Sequence, residues 1–209
     1  MTDVDVFGWL ADRTGCGVLR MMKPLDALTS ELGITTSYDE KLQTKGFMPK
    51  VLVGQRVSKD GPSKIWQHVA GNEQRPKLVF EVDDDLWNVD YSNNDAYQWF
   101  INGYDKGSRT YHGVQENLRA NIAAADRVTC TTPALADLVR QWNDDVRVIP
   151  NYLPRWMLER ERPRRDRLTV GWIGSGTHSM DWTAAQPHVR EFLERNPEVD
   201  FKIIGAKYG

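Results

Sequence analysis

Along the chain, short apolar runs alternate with stretches in which apolar residues recur every three or four positions. Val4 to Leu10, Val51 to Val53, Leu78 to Val82, Arg127 to Thr131 and Val146 to Ile149 read as buried strands. Between them lie helical patterns. Val18, Met21, Met22, Leu25, Leu28 and Leu32 share one helix side that stops at Gly33, and Pro24 marks either a kink or the start of the regular part. Pro62 opens a short helix bearing Ile65, Trp66 and Val69. Val114, Leu118, Ile122 and Ala125 recur at helical spacing. Thr132-Pro133 supplies a cap and a first-turn proline for a helix with Leu135, Leu138, Val139 and Trp142 inward. Residues 33–50 are irregular. Residues 88–113 read as a long loop with helical turns, whose aromatics (Tyr91, Tyr97, Trp99, Phe100, Tyr104, Tyr111) mostly roof the core. The order β, α, β, α, β predicts a Rossmann-like parallel sheet with flanking helices and right-handed crossovers.

Arg155 to Arg167, RWMLERERPRRDR, carries six arginines against three acids and reads as a solvated linker or charged helix. The pattern then begins afresh. Leu168 to Ile173 is a strand, Gly174-Ser175-Gly176-Thr177-His178 a small polar turn, and Ala185, Val189, Phe192 and Leu193 a helix stripe ended by Asn196-Pro197. Phe201 to Ile204 is a second strand. The expected layout is a Rossmann-like domain over 1–154, an arginine-rich linker over 155–167 and a partial second domain, one βαβ unit, over 168–209. Two strands and one helix leave Ile173, Phe192, Ile203 and Ile204 short of partners. That segment is therefore expected to pack on the first domain, on a second copy or on a continuation, so a homo-oligomer or an incomplete fragment is the expectation.

Composition narrows the classes. A formal net charge of −2 over 209 residues gives no global attraction to nucleic acid or anionic membranes. The two cysteines, Cys16 and Cys130, have neither disulfide-framework nor zinc spacing, which suits a reducing compartment. The N-terminus lacks a signal-peptide pattern, and no run approaches the roughly 20 apolar residues of a spanning helix. A cytoplasmic location without membrane insertion is expected.

The chemistry concentrates in KLVFEVDDDLW, residues 77–87, where an apolar run stops in Asp83, Asp84 and Asp85. Ligands collect at the carboxyl ends of parallel strands, and an acid there is a candidate general base or a partner for a developing cation. Strand alternation would put Asp83 and Asp85 on one face and Asp84 on the other. A solvated acidic turn is an equal alternative, and a metal grip through D-x-D a third. Asp84 or Asp85 is expected to matter more than Asp83, which lies nearest the buried strand. A second candidate is the turn holding Gly15 and Gly17, where a strand meets a helix start and backbone N–H groups can meet phosphate.

GCGVLRMMKPLDAL, LVFEVDDDLW, ADRVTCTTPALADLVR, VRVIPNYLP and LTVGWIGSGTH, in this order, resemble the N-terminal half and domain crossover of GT-B glycosyltransferases, nearest to the family-four retaining enzymes and their bacterial and phage relatives. The resemblance implies an acceptor-binding domain followed by the start of a donor-binding domain. It implies a nucleotide-sugar donor whose diphosphate is met by Gly15 and Gly17 and by Gly174, Ser175, Gly176, Thr177 and His178, with no divalent metal or other cofactor required. Asp83 to Asp85 fall where the family places cleft-facing polar residues. The acceptor is left open among glycan, lipid, protein and modified DNA. The family's paired glutamates lie further into the second domain than this sequence reaches. Glu73 and Glu81 share that pair's spacing, with seven residues between them, but sit in the wrong domain. The alternative is a non-catalytic nucleotide- or glycan-binding module, or one piece of a larger assembly. A metal-dependent transferase of the other glycosyltransferase fold is disfavoured because a second βα unit follows the acidic triplet.

Overall fold

The computed structural model describes residues 4–42, 48–88, 111–161, 164 and 166–207, with Tyr111 and His112 described by their backbone alone. The aromatic residues Tyr91, Tyr97, Trp99, Phe100 and Tyr104 lie outside the described residues. The chain divides into two compact units, one holding the described residues up to Glu159 and the other those from Arg160 onward.

The first unit is an α/β Rossmann-like fold. Strands β1 (Val6–Trp9), β2 (Thr36–Asp39), β3 (Val51–Gln55), β4 (Lys77–Val82), β5 (Arg127–Cys130) and β6 (Val146–Val148) form one six-stranded sheet in the order β2-β1-β3-β4-β5-β6. Every pairing is parallel. Because side chains alternate along a strand, Leu78, Phe80 and Val82 of β4 lie on one face and Glu81 on the other. The first face is covered by α2 (Asp60–Ala70), whose fully buried Trp66 meets Phe80 edge-on at 5.7 Å. α3 (Tyr111–Ala123) locks onto α2 and β3 through Asn121. The Asn121 amide donates to Val57 O at 2.7 Å, its Oδ1 accepts from Gln67 at 2.8 Å and its carbonyl takes the Trp66 indole N–H at 3.0 Å. That network fixes the chain just after β3. The expected stripe of α3 is buried at Val114, Leu118, Ile122 and Ala125. α4 (Pro133–Val139) starts as expected, with the Thr132 hydroxyl accepting the Leu135 amide.

The other face is covered by the helix that follows β1. A π-helical turn, Gly17–Met22, leads directly into α1 (Lys23–Leu32). Pro24 accounts for the wide turn, since it has no N–H to continue the ladder, and the regular helix begins there rather than kinking. Gly33 ends it in the left-handed conformation at φ 68°, its amide and that of Ile34 closing back on Thr29 and Leu28 carbonyls. The stretch read as irregular after Gly33 contains β2, an edge strand. Its sequence, TSYD, is polar because only one neighbour and little core face it.

In the second unit, β7 (Thr169–Gly174) and β8 (Asp200–Gly205) pair in parallel, joined through a 3₁₀ turn, Gly176–His178, and α6 (Ser179–Arg195). Trp182 of α6 anchors the unit, its ring 5.3 Å from Trp172 and 5.8 Å from Phe201. The expected stripe needs one correction: Phe192 is exposed, and Trp182 takes the inward place. α5 (Arg155–Glu159), at the end of the first unit, exposes all of its residues. Among the described residues no helix is long and apolar enough to cross a membrane.

Candidate functional site

A sheet ordered 2-1-3-4-5 has its switch point between β1 and β3, and ligands of such sheets sit outside the carboxyl ends of the strands there. The chain leaves β1 through Asp12 to Gly17, β3 through Gln55 and Arg56, and β4 through Asp83. These three exits converge on one polar corner.

Asp12 organises it. Its Oδ1 accepts the Thr14 amide at 2.8 Å, the Thr14 hydroxyl at 2.7 Å and the Gly17 amide at 3.3 Å, and its Oδ2 takes the Arg56 guanidinium. Burial pushes the Asp12 carboxyl up, but the Thr14 hydroxyl and amide together with Arg56 outweigh it and hold the group below its usual range. An internal carboxylate thus sits on the Gly17 amide, one of the two expected to meet phosphate, and on the Thr14 amide before them. The two glycines of the turn differ. A Cβ on Gly17 would lie 1.8 Å from the Asp12 carbonyl oxygen, so this glycine is required by close approach of the backbone, whereas a Cβ on Gly15 would meet nothing within 4 Å.

Arg56 adopts φ 46°, the one positive φ of a non-glycine residue among those described. Its Nε stands 3.5 Å from Asp83 Oδ1, an ion-pair distance without a hydrogen bond. Burial first, with the Asp83 carboxylate second, pushes the Cys16 thiol up to about 12. Gln55 is 1% exposed; its Oε1 accepts the Ala11 amide at 3.2 Å, and its Nε2 has no partner.

The acidic triplet does not continue the strand. β4 ends at Val82, so the expected alternation of Asp83 and Asp85 on one face does not apply. Asp83 is buried in the corner, its side chain 8% exposed. Asp84 Oδ1 accepts the Asp85 amide at 2.9 Å, and Asp85 accepts the Asn88 amide at 3.2 Å and its side chain at 2.7 Å. Those two acids build a turn. Among the described residues no group of three His, Cys, Asp or Glu side chains is placed to hold a metal ion.

Behind the corner lies a buried ion pair. Arg20, from the π-helical turn, donates through Nε to Glu81 Oε1 at 2.7 Å, and Thr129 donates its hydroxyl to Oε2. Arg20 Nη1 reaches Ile149 O at 2.5 Å and Asn151 Oδ1 at 3.3 Å, tying the exit of β6 to the same place. Burial pushes the Glu81 carboxyl up, against the pull of Arg20 and Thr129. Glu73 is exposed in the turn before β4, whereas Glu81 is buried near the carboxyl end of that strand.

In the second unit, Gly174 to His178 forms the expected strand-to-helix turn. The N-cap residues Ser175 and His178 make no side-chain cap; the His178 amide bonds to Ser175 O at 3.0 Å and the Ser179 amide to Gly176 O, and a Cβ on Gly176 would meet nothing within 4 Å. Ser175 and Thr177 hydroxyls lie 2.5 Å apart, and His178 Nδ1 is 2.9 Å from Asp181.

Asp12, Arg20, Gln55 and Arg56 were not singled out by sequence. Two signals pointed to the region: Glu81 is an acid inside an apolar strand, and Arg20 stands between apolar helix positions. Two surface hollows lie elsewhere, one at the amino edge beside Gln67, Gly71 and Gln74 and one beside Asp26, Thr29 and Tyr38.

No protein-family model matches the chain, and no curated protein matches it in sequence. Among solved structures, a Glycosylation Associate Protein (Gap123) complex from Streptococcus agalactiae is similar over 89% of this chain and 29% of that one, at 9% identity and a TM-score of 0.37. The chain therefore spans less than a third of that structure's length, and a TM-score of this size assigns no role.

Proposed function

We propose that this chain belongs to a sugar-transferring enzyme that uses a nucleotide-sugar donor, with the carboxyl edge of the first sheet serving the acceptor and the Gly174 to His178 turn serving the donor diphosphate. The observation that carries the reading is the buried polar corner at the switch point, where Asp83 stands beside Arg56 at the end of β4. Within the acidic triplet the reading assigns the reacting role to Asp83, because Asp84 and Asp85 are engaged in their own turn. In such a reaction the acceptor hydroxyl loses its proton as it attacks the sugar carbon, and the diphosphate departs with the bonding pair. A carboxylate near the hydroxyl and amide donors near the diphosphate stabilise the two charges that develop. The open position at Gly176, in a turn between a strand and a helix start, supports the donor assignment. At the first turn, Gly15 remains open while the Thr14 and Gly17 amides serve Asp12, which reduces what that turn offers a phosphate.

Gly176→Val tests the donor assignment without disturbing the fold, since its side chain would enter open space. Calorimetry with nucleoside diphosphates is expected to show at least about tenfold weaker binding by the variant, the worth of one or two good hydrogen bonds to a charged group. Equal affinity would refute the assignment. A second reading, a binding module without catalysis, is favoured by Asp12 occupying the first turn. It predicts sugar or nucleotide affinity with no turnover.

A further inference from the structure

The polar corner holds three buried polar atoms without a hydrogen bond: the donors Gln55 Nε2 and Arg56 Nε and the acceptor Asp83 Oδ1, the last two facing each other at 3.5 Å. The Gln55 amide is oriented by its Oε1, which accepts from Ala11, so Nε2 is the atom left without a partner. Asp83 Oδ1 is equally buried and accepts no hydrogen bond. Gln55 and Glu81 are paired in register and therefore share a face of the sheet, the face on which Arg20 meets Glu81. Asp83 follows Glu81 by two residues, and its Oδ1 faces Nε of Arg56, the residue after Gln55, at 3.5 Å, near Cys16 at the start of the helical run that carries Arg20. Gln55 Nε2 and Asp83 Oδ1 thus belong to the one corner beneath that helix start. Leaving a buried polar atom unpaired costs about 1–3 kcal/mol, and native structures keep few of them.

A single group that answers both atoms must donate to a carboxylate and accept from an amide. A fully ionised phosphate only accepts, and it would face two carboxylates, Asp12 and Asp83, against one guanidinium, Arg56, that Asp12 already holds. An ammonium only donates and leaves Gln55 unanswered. A hydroxyl does both. We propose that this corner binds a hydroxyl group of an uncharged polyhydroxy ligand, with Asp83 Oδ1 accepting from it and Gln55 Nε2 donating to it. Gln55 then determines specificity: it rejects a ligand that lacks the hydroxyl, because its own donor stays buried and unpaired. The inference rests on reading this edge as the acceptor side. It requires nothing of the Gly174 to His178 turn.

The test uses the full chain, labelled with ¹⁵N, and follows the Gln55 side-chain amide during titration with neutral methyl glycosides, inorganic pyrophosphate and methylammonium. The expected result is a saturable shift with at least one glycoside and none with the two ions. Gln55→Leu and, separately, Asp83→Asn should each weaken that glycoside's binding by about tenfold or more, with circular dichroism unchanged. The second variant keeps the test decisive if the first does not fold. No shift with any glycoside, a saturable shift with pyrophosphate, or undiminished binding in a folded variant would each overturn the proposal. Glycoside binding with equal nucleoside diphosphate affinity in the wild type and Gly176→Val would refute the donor assignment and leave this one standing. Weaker nucleoside diphosphate binding by Gly176→Val with an unresponsive Gln55 would do the reverse.

Discussion

The two units are built from the same βα elements, yet only the first buries them. In β4 of the first unit Leu78, Phe80 and Val82 are wholly inaccessible, whereas in the second unit Ile173 of β7 is 76% exposed and its register partner Ile204 of β8 is 56% exposed. Parallel strands need cover on both faces. The first sheet has it, from α2 and α3 on one side and from the π-helical turn and α1 on the other. The second has α6 on one face, where Trp182 meets Trp172 and Phe201, and leaves the Ile173 and Ile204 face open. An apolar strand sequence therefore states a requirement for neighbours; the number of strands and helices around it decides whether the requirement is met.

The comparison is broken or sharpened most strongly by core truncation. Phe80→Ala should cost about 3–5 kcal/mol in urea unfolding of the first unit, because a buried ring is removed from a packed site. Ile204→Ser should change stability by no more than about 0.5 kcal/mol, as exposed substitutions do. If Ile204→Ser proves as costly as Phe80→Ala, the open face is covered in solution and the contrast fails.

Glu81 comes next. Glu81→Ala strands the buried Arg20 guanidinium and should destabilise by about 3–5 kcal/mol, while the double replacement Arg20→Met with Glu81→Leu should recover much of the loss. A double-mutant cycle with no coupling would show that the pair does not hold the corner.

The smallest effect is a pH dependence. The Arg75 guanidinium, followed by the Leu78 amide, holds the Asp126 carboxyl down at about 2. A carboxyl depressed in the folded state adds stability that is present above its unfolded value, near 3.9, and is lost as pH falls toward the folded one. Between about pH 4 and pH 2 the wild type should lose more stability than Asp126→Asn, measured by urea midpoints at each pH. Parallel pH profiles would contradict the assignment.

Most strands and helices of the first sheet were legible because each announces itself with an apolar run, a proline or a cap; Thr132-Pro133 and Gly33 fall where their chemistry requires. β2 was not, since an edge strand such as TSYD is held by backbone pairing to β1 and needs no apolar pattern. In α6 the helical period admitted Phe192 or Trp182 as the inward aromatic, and the bulk of two facing rings, Trp172 and Phe201, selected Trp182. Of the corner's residues, sequence singled out Gly17 and Asp83, and it ranked Asp83 below Asp84 and Asp85. Asp12, Gln55 and Arg56 lie on separate loops, each an ordinary polar residue in sequence, and they meet only because the strand order brings β1, β3 and β4 side by side.

The central claim is that ligands meet the carboxyl edge of the first sheet and the turn that opens α6. Backbone amide shifts of the full chain, followed during titration with a panel of nucleotide sugars, test it most directly. The account predicts saturable shifts at Gly174 to His178 and at the corner formed by Asp12, Gln55, Arg56 and Asp83, with the amino edge around Gln67 to Gln74 unmoved. No saturable shift with any member of the panel, or shifts confined to that amino edge, would contradict it.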